Sequence, residues 1–266
     1  MESTTHQTDA EPAMMYGNAR VRVYPSPVEL GEAAARQAAE IIREAIRERG
    51  KARIVIATGN SQLELISSLV KAPDLDWKAV EAFHMDEYIG LADAHPASFR
   101  YWIRNRVEDR VHPGIMHYMD CDAADIPAEI ERYSRLLNAG PLDLAFVGFG
   151  ENGHIAFNDP HVADFHDPAT VKIVSPDEAC RRQQVGEGHF SSLEAVPKEC
   201  LTMTCPALFR AACWICCVPD LRKAGAVRNA LEGPIAPTCA ASIVRTHPNA
   251  TVYLDTPSAS LLTPRR

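Results

Sequence analysis

The chain has 266 residues, 46% of them hydrophobic and 23% charged, with a formal net charge of −8. That length suits one large α/β domain or two small ones, and the composition is that of a soluble globule. The acidic balance argues against nucleic acid as the main partner. It leaves room for an anionic small molecule held by a few local cations.

Residues 1–17 read as a disordered tail. Their opening, MESTTHQTDAEPA, has no Lys or Arg and no apolar core, so it is not a secretory peptide. No apolar run approaches the length of a membrane span. Eight cysteines are scattered along the chain. Unpaired thiols are safe in the cytoplasm, the expected compartment. Cys213 and Cys216 have C-x-x-C spacing, which could mean metal or redox chemistry. With no second pair nearby, they read better as small buried hydrophobes.

Strand-like and helix-like runs alternate along the chain. A strand over 19–25 precedes a helix over 26–50, with Ser26 and Glu29 at capping-box spacing, Pro27 in the first turn and Gly50 as the stop. Leu30, Ala34, Ala38, Ile41, Ile42 and Ala45 make its apolar stripe. A buried-type strand over 52–59 leads into a helix over 61–70, where Ser61 and Glu64 repeat the capping-box spacing. A strand over 79–87 ends in charge. Helices are expected over 98–107, 126–140 and 221–233. Further strands are expected over 142–150, 170–175, 200–204, 212–218 and 251–255. The pattern predicts a three-layer α/β fold: a mostly parallel, Rossmann-like sheet with helices on both faces. Residues 18–266 form the domain. The long polar stretch 158–199 is poorly periodic and is expected to hold a lid.

In an open α/β sheet, ligands bind beyond the carboxyl ends of the strands. Three ends carry unusual residues. The run 52–59 ends in the turn Thr58-Gly59-Asn60-Ser61, whose free N–H groups and hydroxyls suit phosphate, or merely cap a helix. It is neither a Walker A loop nor a dinucleotide fingerprint. The run 79–87 ends in Asp86 and Glu87, of which at most one can face a pocket squarely because strand neighbours point to opposite sides. Either could be a general base, a helix cap or a surface ion pair. After 142–150 comes GENGH, whose glycines let the backbone approach a ligand closely and bring His154, Asn158 and Asp159 into one loop. A metal set of His84, Asp86 and His154 is the weaker alternative, so no metal or other cofactor is expected.

The stretches HMDEYIGL, HPASFR, GENGHIAFNDP and RTHPNA together resemble the glucosamine-6-phosphate deaminase/isomerase family, from about Arg20 to Asp255. That family is related to the 6-phosphogluconolactonases. GHIAF, where the lactonases typically have GHTAS, favours the deaminase branch. The resemblance implies isomerisation of an amino-sugar 6-phosphate with release of ammonia. Asp86 matches the base that takes the C2 proton, and His154 the ring-opening group. The 58–61 turn and Lys223 match phosphate ligands, as does Arg182, with Arg181 an alternative. Three features depart from the usual pattern, the first being a 58–61 turn poorer in glycine and threonine than the family's phosphate loop. Asn152 stands where an acid precedes the histidine, and Asp159 where the family has Glu. Asn152 is read as the neutral orienting partner of His154, with Asp159 a further catalytic carboxylate. A lactonase-type hydrolase and a non-catalytic sugar-phosphate sensor are the rival readings. The expected partner is a phosphorylated sugar, with a homo-oligomer possible.

Overall fold

The structure, a computed structural model, describes residues 13–264. Most of the expected tail lies outside these residues. Its end does not fit the expectation, because Met14–Tyr16 form strand β1, paired antiparallel with β2 (Ala19–Tyr24). Gly17 takes φ 60° in the turn between them. Apolar letters at 14–16 complete a hairpin, which buries Tyr16.

Nine further strands follow: β3 (Ala52–Ile56), β4 (Val80–His84), β5 (Asp86–Tyr88), β6 (Ile115–His117), β7 (Leu144–Val147), β8 (Val171–Val174), β9 (Cys200–Met203), β10 (Cys213–Val218) and β11 (Ala250–Asp255). The helices are α1 (Pro27–Arg49), α2 (Leu63–Leu69), α3 (Phe99–Ile103), α4 (Asp109–Val111), α5 (Ile126–Asn138), α6 (Glu178–Gly186), α7 (Cys205–Phe209), α8 (Ala224–Glu232) and α9 (Thr256–Ala259). The main sheet runs β1-β2-β11-β10-β7-β3-β4-β6, parallel at every pairing except β1 with β2. The expected mostly parallel α/β fold is the one observed. A second, antiparallel sheet, β5-β9-β8, stands beside it.

The expected strand over 79–87 is therefore two strands in two sheets. Nothing in the run of letters marks the break, which falls at Met85. His84 fastens the junction. Its Nε2 accepts from the Met119 N–H at 2.8 Å, so the ring proton sits on Nδ1, 2.9 Å from the carbonyl oxygen of Asp86. Tyr133 clamps the other side, its hydroxyl accepting from the His84 N–H and donating to the His84 carbonyl. Burial pushes the pKa of His84 down to about 3. With both nitrogens engaged, His84 is a strut, and the alternative metal set containing it fails.

α1 begins and ends as its sequence implies. The Ser26 hydroxyl accepts from the Glu29 N–H, and Gly50 closes the helix at φ 73°. Its alanine-rich face packs on β2, β11, β10, β7 and β3. Ser61 does not cap α2. A 3₁₀ turn over Asn60–Gln62 precedes that helix, and Ser61 instead accepts from the Gln62 side chain. The helix expected over 98–107 is α3 followed by a π turn over Arg104–Glu108. The stretch 158–199 contains β8 and α6, and so is far from structureless. Cys213 and Cys216 lie three apart on β10 and point to opposite faces, which removes them as a ligand pair. Among the described residues no helix is long and apolar enough to cross a membrane.

Candidate active site

From β3 the chain proceeds to β4 and β6 on one side. From β7 it proceeds to β10 and β11 on the other. The adjacent strands β3 and β7 are thus the point where the strand order reverses, and a crevice opens beyond their carboxyl ends. A pocket of about 250 Å³ occupies it. Thr58, Gly59, Asn60 and Ser61 line it from β3, Asp86 from β5, Gly148, Gly150 and His154 from β7, and Arg222 and Lys223 from β10.

Two glycines shape the wall beyond β7. A Cβ on Gly150 would stand 2.2 Å from the His154 ring, and one on Gly148 would stand 2.9 Å from Ser61 Oγ. Glycine is required at these positions for close approach, and the histidine packs directly on backbone. Ala156, two residues on, holds φ 48° at the pocket wall.

The His154 side chain is 11% exposed, and its Nδ1 lies 2.9 Å from Asp159 Oδ1. The contact has ion-pair range without the alignment of a good hydrogen bond. Asp159 is fully buried. Burial would push its pKa up, but His154, the Asn152 amide and the Asp177 N–H together hold it below the usual aspartate range. Asn152 is not the partner of the imidazole. Its Oδ1 accepts from the His154 backbone N–H at 3.0 Å, and its Nδ2 donates to Asp159 Oδ1 at 2.8 Å and Asp177 Oδ2 at 3.0 Å. Asp159 faces the ring and Asn152 braces Asp159.

Asp86 and Glu87 divide as strand geometry requires. Asp86 faces the pocket, 8% exposed, with no hydrogen bond to its carboxylate among the described residues. Burial, then the charge of Glu87, raises its pKa well above the ordinary value. Glu87 points away and is fully buried. It accepts from the backbone N–H groups of Tyr88, Phe99 and Arg100 and from the Ser98 hydroxyl at 2.7–3.2 Å, so it anchors the start of α3.

The basic end of the pocket differs from expectation in one residue. Lys223 is there, buried. Arg182 is not: it lies on the outer face of α6, paired with Glu178, its side chain 69% exposed. Arg181 does not line the pocket either and donates to the Leu193 carbonyl. Arg222 supplies the second cation, steadied by Asp220 at 2.9 Å. The convergence of strand ends could have found it, because Arg222 follows β10 as Thr58 follows β3. α6 contributes Gln183, Gln184 and, at its end, Glu187. The Glu187 carboxylate is 3.7 Å from Lys223 Nζ and accepts from Gln183 Nε2 at 2.8 Å. Burial pulls the pKa of Lys223 down, while Glu187 and Glu151 oppose that. One group of three ligating side chains stands out among the described residues. His154, Asp159 and Cys180 offer donor atoms within 4.8 Å of one another.

A match to the family described as glucosamine-6-phosphate isomerases/6-phosphogluconolactonase spans residues 25–253. The chain belongs to this family. It is 37% identical over 231 residues to a glucosamine-6-phosphate deaminase of Arthrobacter sp. (strain FB24), covering 85% of this chain and 87% of the relative. To the deaminase of Listeria monocytogenes serovar 1/2a it is 32% identical over 230 residues, covering 86% and 96%. Among solved structures, a monomeric glucosamine-6-phosphate deaminase superposes with a TM-score of 0.84 at 29% identity, covering 91% of this chain and 99% of that one. A 6-phosphogluconolactonase from Shewanella baltica OS155 shares the fold at TM-score 0.73 and 18% identity, covering 91% and 100%.

Proposed function

We propose that this family member converts glucosamine 6-phosphate to fructose 6-phosphate and ammonia. The observation that carries the reading is the pairing, in one pocket, of a carboxylate without hydrogen bonds and an imidazole backed by a buried ionised carboxylate. With Nδ1 against Asp159, the pocket edge of the His154 ring bears Nε2. That atom is suited to protonate O5 as the C1–O5 bond of the closed sugar breaks, and to take the proton from the O1 hydroxyl as C1 becomes the aldehyde. Asp86 then takes the proton from C2 as O1 gains one, giving an enolamine; after exchange with solvent Asp86 protonates C1 as the nitrogen loses a proton, leaving an imine at C2. Water adds there, ammonia departs, and the C2 ketone remains. The Thr58–Ser61 turn, Arg222 and Lys223 hold the phosphate at the other end. All eight cysteines are free thiols, in keeping with a reducing cytoplasmic setting.

The test is direct. Purified protein incubated with glucosamine 6-phosphate in deuterated water should release ammonia and yield fructose 6-phosphate labelled at C1. Hydrolysis of 6-phosphogluconolactone with no ammonia from the amino sugar would overturn this reading in favour of the lactonase. Binding without any turnover would favour the sensor.

A further inference from the structure

Cys180 has no part in the chemistry above, yet its sulfur belongs to the group formed with His154 and Asp159, all three residues being buried. The three sit in one hydrogen-bonded frame. Asp177, the N-cap of α6, accepts from the Cys180 N–H at 2.7 Å through Oδ1 and from Asn152 Nδ2 at 3.0 Å through Oδ2. The Asp177 N–H in turn donates to Asp159 Oδ2 at 2.9 Å. A carboxylate oxygen has two acceptor sites, so each Asp159 oxygen keeps one free of these amide donors. His154 Nδ1 is buried and makes no aligned hydrogen bond.

We propose that His154 Nδ1, an Asp159 oxygen and Cys180 Sγ form an inhibitory site for a soft divalent cation of the zinc type. Imidazole, carboxylate and thiolate are the three donor classes that zinc takes. The 2.9 Å between Nδ1 and Oδ1 has to open to about 3.4 Å for one ion to hold both at a tetrahedral angle with bonds of about 2.0–2.2 Å. Binding displaces the thiol proton to solvent and leaves the ring proton on Nε2, so that Nδ1 offers its lone pair. The charges then balance: a doubly positive ion meets one carboxylate and one thiolate beside a neutral imidazole, the combination a buried location tolerates best. Asn152 and Asp177 orient the ligands from behind, as outer partners do in metal sites. Of the three residues His154 lines the pocket, so the ion enters past its ring. An ion held there takes Nδ1 and Asp159 away from ring opening, so occupancy and turnover exclude each other.

The test uses the whole protein and the metal alone. Cobalt titrated into the reduced protein should give a thiolate-to-cobalt charge-transfer band at one equivalent, and zinc should abolish it. Cys180→Ser should lose the band and weaken zinc binding, measured by calorimetry, by more than the roughly 10- to 100-fold that losing an outer partner of a ligand costs. Cys239→Ser should keep both, which separates this site from the other thiols. In the ammonia-release assay zinc should inhibit the wild type reversibly by chelator, and Cys180→Ser should need correspondingly more. An unchanged band and affinity in Cys180→Ser would overturn the site. The spectroscopic arm reads out whether or not the protein deaminates the amino sugar, so a failure of the proposed function is distinguishable from a failure here.

Discussion

His154 Nδ1 and Asp159 Oδ1 stand 2.9 Å apart, with Asp159 sealed from solvent and braced by Asn152 and Asp177. The carboxylate five residues after the histidine is the one that faces the ring. The neutral residue two before it acts at one remove. The shortened side chain at 159 still reaches because Gly150 lets the ring lie flat on the backbone.

Asp159→Asn should lower kcat for the closed-ring sugar by about 10²–10⁴, with KM little changed, since the imidazolium loses its counter-charge. Stability should change as well. The depressed pKa of Asp159 means that its contribution is present above the ordinary aspartate value of about 3.9 and is lost as pH falls from there through the depressed value. The variant should be less stable at pH 7, and its stability should fall less steeply below pH of about 4. Denaturant titrations at the two pH values check this.

Asp86→Asn should abolish C2 proton exchange and leave binding nearly intact. The sign of its stability effect is opposite. The raised pKa of Asp86 is a cost that sets in as pH rises above about 3.9 and persists at neutrality. The inactive variant should therefore melt higher at pH 7, by about 2–4 °C. A lower Tm together with normal exchange would remove Asp86 from the role of base.

Arg222→Ala and Lys223→Ala should each weaken a 6-phosphosugar by about 10- to 100-fold, the range of one charge-assisted contact, with much less effect on the unphosphorylated sugar. Arg182→Ala should change neither. Glu187→Gln should tighten inorganic phosphate, because the anion no longer competes with a carboxylate for Lys223. Calorimetry on the four variants decides among these outcomes.

Gly150→Ala should inactivate without unfolding. The added methyl group occupies the place of the His154 ring, and a displacement of about 1 Å at a catalytic group costs roughly 10²-fold. Circular dichroism beside the ammonia assay separates misplacement from collapse.

The strand ends were legible because buried apolar runs stop abruptly at Gly59, Asp86 and Gly148. The split at Met85 was not, since a strand that changes sheets keeps the same letters. The outward placement of Arg182 has a physical root. Read as a helix with its cap at Glu187, the segment from 178 puts Cys180, Gln184 and Glu187 on one stripe at spacings of four and three, and sends Arg182 outward beside Glu178. Read as an aperiodic loop, the segment had no face by which to judge. Asn152 misled for a related reason. Its place where the family has an acid pointed to the ring, whereas its amide is spent on Asp159, Asp177 and a backbone N–H.

The strut at His84 has a spectroscopic consequence. Its Nδ1 proton is locked against the Asp86 carbonyl in a dry interior, and the ring stays neutral until about pH 3. Of the ten histidines in the chain, this one should hold a single tautomer across the whole working range and show a slowly exchanging ring proton shifted downfield. That proton sits on the hinge between the two sheets, one carbonyl away from the group expected to abstract the C2 proton. Its chemical shift is a resident gauge of strain at the junction, readable without labels or mutations as sugar enters the pocket.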